Sequence, residues 1–270
     1  MQFAERATKT LLVATLFSMF GLFNLDQASA QDAGWGNLKG RIKIVGDIPE
    51  IAKEKVDKDQ ATCLAGGKEA PLDDNLIVGK DGGLKDAFVM MYIKGDKPAI
   101  HPSYAEAAKK PKVLDNKKCR FEPHAVFVQT GQPLMLKNSD DVGHNCHIIL
   151  FNSEENITIP IGESIEVKFD DAEKVPGNVV CDIHRWMDSV LLVRDEPYVA
   201  ITDEKGNFEI KNIPAGKWKF QFWHKKSAYM RELNVPDHKV GRRGEIEIAI
   251  EDGKTLDLGE MTLDGSKLNK

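Results

Sequence analysis

The chain has 270 residues, with 37 Lys and Arg against 42 Asp and Glu, a formal net charge of −5, and 41% hydrophobic residues. This is a globular composition, too apolar and aromatic for a disordered acidic tail. Its acidic balance argues against a binder of phosphate backbones, so nucleic acid is not expected as a partner.

Residues 1–30 carry Arg6 and Lys9, then an apolar stretch from Leu11 to Phe23, then Ala28-Ser29-Ala30. That is the layout of a secretory signal, and the apolar run is shorter than the ~20 residues a membrane span needs. The expectation is cleavage after Ala30 and a periplasmic or extracellular protein that is not integral to the membrane. Cys63, Cys119, Cys146 and Cys181 all follow the cleavage point. An oxidising compartment lets some of them pair, and four cysteines allow three complete connectivities.

Most readable segments alternate with period two, the mark of strands with one wet face. Ile42 and Ile44 alternate with Arg41 and Lys43; Ile165, Val167 and Phe169 with Glu166 and Lys168; Ile246, Ile248 and Ile250 with Glu245, Glu247 and Glu251. Trp218, Phe220, Phe222 and His224 oppose Lys217, Lys219 and Gln221, and residues 87–94 form an apolar strand. Short helices are expected only at 103–110 and 49–57. The fold class is therefore all-β, built of antiparallel sandwiches. The expected division is an N-terminal β segment (31–86), a dense strand-and-loop domain (87–196), a second β domain (197–263) and a solvated tail (264–270).

Chemistry concentrates in Cys181-Asp182-Ile183-His184-Arg185-Trp186-Met187, which places a thiolate, an imidazole and a thioether at spacings of three on one turn. Soft sulfur with imidazole is the donor set of copper electron-transfer sites, where two His and one Cys form a plane and Met sits weakly on the axis. The second imidazole must come from elsewhere, and His144, followed by Asn145 at the head of an apolar strand, is placed to supply it.

These residues resemble the cupredoxins, the blue-copper proteins of the plastocyanin and amicyanin kind, over about residues 87–196. The resemblance implies a Greek-key sandwich with His144, Cys181, His184 and Met187 around one type 1 copper and Asn145 beside the first ligand. It also implies single-electron exchange with a redox protein, a cytochrome or an oxidoreductase. In that family the His on the ligand turn exposes an edge through an apolar patch, so His184, with Trp186, Val142 and Gly143 as neighbours, marks the expected electron exit; the alternative is that Trp186 packs inward and anchors the loop. Residues 202–216, with Thr202-Asp203-Glu204 and Ile213-Pro214-Ala215-Gly216, resemble carboxypeptidase-regulatory-like prealbumin-type modules. Residues 40–46 resemble the first strand of such a module, so an outer sandwich interrupted by the copper domain is one arrangement.

By strand alternation Cys146 points to the side of His144 as a core thiol, and His147 faces the other way. A modified or second metal site using Cys146 or His147 is the alternative. If Cys181 is a ligand and Cys146 a core thiol, Cys63 and Cys119 remain to form a bridge. His124, after Pro123, reads as a strand-entry residue, and His224 as packed or at the surface. Motifs for serine hydrolysis, zinc proteolysis, phosphate loops and haem attachment are missing. The leading expectation is a secreted type 1 copper electron carrier, not an enzyme, although a subunit of a copper-dependent oxidoreductase is a further reading. The alternative is a structural or adhesive β-sandwich binding protein with a copper-storage or vestigial site.

Overall fold

The computed structural model describes residues 34–64, 69–95 and 97–268. The expected signal segment and its cleavage point lie outside these residues. Among those described the chain is nearly all β, and no helix is long and apolar enough to cross a membrane.

Four sheets form two sandwiches. In the first, one sheet has the order Ala125–Gln129, Asp188–Arg194, Gly177–Val180, His144–Ile149, Glu154–Ile159, and the opposing sheet runs Phe121–Glu122, Lys112–Asn116, Leu134–Asn138, Ser164–Val167. Leu114, Val128, Leu136, Ile148, Val179 and Leu191 fill the space between them. In the second, Asn207–Pro214, Trp35–Val45 and Thr255–Asp264 face Val199–Ile201, Phe88–Met91, Gly216–His224 and Ala228–Tyr229, with Glu245–Ile250 also paired to Gly216–His224. Leu38, Ile42, Val89, Phe208, Phe220 and Met261 belong to this core.

A third apolar layer joins the two sandwiches: Phe88 and Met90 from one meet Ala125, Val190 and Leu192 from the other. This layer explains the strands that fail to alternate. Phe88–Met91 is buried at every position because Val89 and Met91 enter the outer core while Phe88 and Met90 enter the junction. Asp188–Arg194 behaves likewise, with Leu191 and Val193 on one side and Val190 and Leu192 on the other. Strands covered on both faces read as continuous apolar runs. Along Gly216–His224 the change occurs midway: Lys217 and Lys219 are exposed, whereas Gln221 is buried and Trp223 packs against the junction. The Gln221 amide is satisfied there by donating to the Arg243 carbonyl at 2.8 Å.

The structure corrects the expected boundaries. Trp35–Val45 pairs antiparallel with Asn207–Pro214 and parallel with Thr255–Asp264, so the outer sandwich draws on both ends of the chain. Phe88–Met91, assigned from sequence to the copper domain, pairs with Val199–Ile201 and Gly216–His224 and belongs to that outer sandwich. The helix at Ser103–Lys109 is present, but 49–57 is irregular; the helical turn follows it, at Gln60–Cys63. Nor is 264–270 simply a solvated tail, since a 3-10 turn at Gly265–Leu268 inserts Leu268 into the outer core. Its apolar side chain gains by leaving water.

Candidate metal centre

Residues 181–187 are the whole connection between two antiparallel strands whose last pair is Val180 and Asp188. The loop closes on itself: the Cys181 amide donates to the Met187 carbonyl at 3.1 Å and the Met187 amide to the His184 carbonyl at 2.8 Å. The neighbouring strand His144–Ile149 pairs His147 with Val180, and three residues further along it His144 reaches the level of the loop. Asn145 ties the strand to the loop, its Oδ1 accepting from the Asp182 amide at 2.9 Å and lying 3.3 Å from Cys181 Sγ.

His144 Nδ1 and His184 Nδ1 each lie 3.9 Å from Cys181 Sγ and 3.0 Å from one another. The point equidistant from three such corners is about 2.1 Å from each, against about 2.0 Å for a metal–imidazole bond and about 2.3 Å for metal–thiolate. The donor triangle therefore fits one ion; Met187, the expected fourth ligand, is buried on the same turn. His144, Cys181 and His184 are themselves buried.

Each imidazole is held from behind by a carboxylate, which sequence reasoning missed. His144 Nε2 lies 3.0 Å from Asp140 Oδ2, and His184 Nε2 lies 2.8 Å from Asp59 Oδ2. Asp140 is anchored by the amides of Lys118 and Cys119, consecutive residues at φ 57° and 53° whose left-handed backbone points both N–H groups at one carboxylate. The loop position of Asp140, four residues before His144, is a signal that could have found it. Asp59 has none, being 125 residues from His184.

The expected bridge is present between Cys63 and Cys119. In the chain-entropy picture a loop of 56 residues makes it worth roughly 4 kcal/mol. It also links the two outer carboxylates: Asp59 lies just before the helical turn ending at Cys63, and Cys119 donates its amide to Asp140. The Cys119 carbonyl accepts from the Trp186 indole N–H at 3.1 Å.

That last contact shows Trp186 in its inward-packing, loop-anchoring role. Trp186 is 6% exposed and packs inward, 5.1 Å from the His184 ring, while His184 is fully covered. The Asp59 segment lies over the imidazole edge that was expected to reach the surface. Of the expected patch only Gly143 is exposed, with Val142 half-buried. Cys146 is a buried free thiol, 3.8 Å from the Asn116 amide, and burial pushes it up to about 12. His147 faces outward between Asp182 and Glu154. Neither joins a cluster of metal-ligating atoms among the described residues. His224 is buried, which lowers it to about 4.

Burial alone would raise the Cys181 thiol, but hydrogen bonding to His144 and His184 outweighs it and holds the thiol at about 6. Burial disfavours the His144 imidazolium, yet Asp140 and Cys181 on its two sides raise it to about 9. His124 is also raised to about 9, against the effect of its burial, by Asp188 and Asp86. A base raised from 6.5 to about 9 contributes stability below 6.5 that is lost as pH rises through 9. The depressed thiol has the opposite sign, its stability present above 9 and lost as pH falls through about 6. His144 and Cys181 thus offset one another between these limits, and His124 sets the slope. Metal-free protein should lose stability between pH 6.5 and 9 in urea titrations, and His124→Gln should flatten that dependence.

No protein-family model and no curated protein matches the chain. Among solved structures it is similar to the reduced Cu(I) form of an amicyanin variant at pH 4, at 20% identity and TM-score 0.29, over 40% of this chain and 99% of that one. A copper-containing nitrite reductase from Thermus scotoductus matches at 20% and 0.27, over 38% of this chain and 25% of that one. A purple cupredoxin from Nitrosopumilus maritimus matches at 18% and 0.26, over 31% and 97%. At such values the reading of the site rests on its own geometry.

Proposed function

We propose that this chain is a type 1 copper protein of the cupredoxin kind, exported to the periplasm or beyond after cleavage at Ala30, which carries single electrons to or from a redox protein. The observation that carries this reading is the buried Nδ1, Nδ1, Sγ triangle. Copper would supply the one-electron couple. The chain's own part is to hold the donors still: the closed 181–187 loop, the Asn145 tie and the two carboxylates each fix a ligand from outside. A ligand set that cannot relax between oxidation states favours fast exchange. The outer sandwich, joined through an apolar layer, would serve as the docking module.

The covered edge of His184 specifically favours a second reading, a structural or adhesive protein with a storage or vestigial site. One experiment separates them. Loading with a single equivalent of copper(II) should give an intense visible thiolate-to-copper band that a mild reductant bleaches and ferricyanide restores. Copper bound without that band, or colour that does not return, would support storage.

A further inference from the structure

A second group of titratable side chains lies outside the copper centre. The imidazole of His124, 5% exposed, has Asp188 Oδ1 3.2 Å and Asp74 Oδ1 3.9 Å from its Nε2, and Asp86 Oδ2 3.4 Å from its Nδ1. Asp74 Oδ1 is buried without a hydrogen-bond partner, and Asp86 Oδ2 and His124 Nδ1 have none beyond each other. Asp86, like His124, has more than nine-tenths of its side chain buried. A buried carboxylate oxygen left unpaired is costly, so Asp74 Oδ1 beside this imidazole points to a missing partner.

The charges point the same way. Arg120 pairs with Asp74 Oδ2, Lys225 with Asp188 Oδ2 at 2.8 Å, and Lys226 with Asp73 at 2.8 Å. With Glu54, which feels Asp73, Asp74 and Asp188, and with Asp86, five carboxylates face three permanent cations. A protonated His124 offsets one of the two, and a divalent ion in place of its Nε2 proton offsets both. On Asp74 and Asp188 the paired cation occupies Oδ2 and leaves Oδ1 turned toward the imidazole.

We propose that Asp74 Oδ1, His124 Nε2 and Asp188 Oδ1 form a second cation site, suited to a zinc-like divalent ion, with Asp86 accepting the Nδ1 hydrogen of His124. The separations bracket the ~3.3 Å between donors that are about 2.0–2.1 Å from a tetrahedral ion. A carboxylate behind the ligating imidazole is the usual outer-shell arrangement. Access is provided by a cavity of about 870 Å³ whose wall includes Asp74, Arg120 and His124. The ligands come from three separate stretches of chain: Asp74 precedes the Phe88–Met91 strand, His124 precedes Ala125–Gln129, and Asp188 opens Asp188–Arg194. An ion there would pin the N-terminal segment to the first sandwich.

The test is zinc binding by the full chain already loaded with copper, measured by equilibrium dialysis. One zinc per chain is expected beyond the copper, weakened about 10–100-fold in Asp86→Asn and lost in Asp74→Asn, with copper content unchanged. Location needs no substitution: in zinc-soaked wild-type crystals, zinc-edge anomalous scattering should peak beside His124. A peak only at Cys181 and His184, or no peak, overturns the proposal, as does zinc retained in full by Asp74→Asn. A chain that fails to take up copper but shows the peak at His124 would overturn the proposed function and leave this site standing.

Discussion

Cys181→Ser is expected to abolish the visible band completely while the protein stays folded. The intense absorption requires a thiolate in the plane of the two imidazoles, and Cys181 is the one cysteine that combines a depressed pKa with contact to both His144 and His184. Cys146→Ser is the matched control. Its thiol is held protonated by burial and belongs to no donor cluster, so the colour should survive. The hydroxyl it leaves in the core should cost about 1–3 kcal/mol of stability. Optical spectra with denaturant titration distinguish the two variants. A blue Cys181→Ser protein would move the ligand to Cys146 and reject the assigned triangle.

The second large effect is expected at Asp59→Ala. The carboxylate that holds His184 Nε2 at 2.8 Å would make the imidazole a better donor to copper(II) than to copper(I), and its segment covers the ring edge. Removing it should weaken copper(II) about 10–100-fold, judged by chelator competition. Each tenfold loss selective for copper(II) raises the one-electron potential by about 59 mV. Electron exchange with a small soluble cytochrome should accelerate as the edge opens, with the band retained. Asp59→Asn keeps an oxygen acceptor and should fall between. An unchanged affinity, potential and exchange rate would show that the cover has no hold on the site.

The strands with one wet face were legible because each had a core on one side only: Glu245–Ile250 alternates from end to end. The runs Phe88–Met91 and Val190–Val193 carried no such signal of which partner they face. A strand buried on both sides is apolar throughout, and its sequence cannot distinguish the core of one sandwich from the junction between two. That is why 87–94 went to the wrong unit. The candidate donors on 181–187 were readable because the loop is local and its donor atoms are of a rare kind, and His144 because it heads a strand next to Asn145.

From sequence alone came the all-β class, the thiolate-imidazole-thioether turn, the upstream His144 and, conditionally on those, the pairing of Cys63 with Cys119. Only tertiary structure decided what lies behind the candidate donors. Asp59, Asp74 and Asp86 carry the most ordinary residue type of a solvated loop, and their meaning depends on which imidazole they reach across a long stretch of chain. Trp186 was equally undetermined, since an aromatic beside a ligand can cover a surface or fill a core. The bridged segment laid over His184 turned it inward, because its indole N–H finds the Cys119 carbonyl there and its ring leaves water.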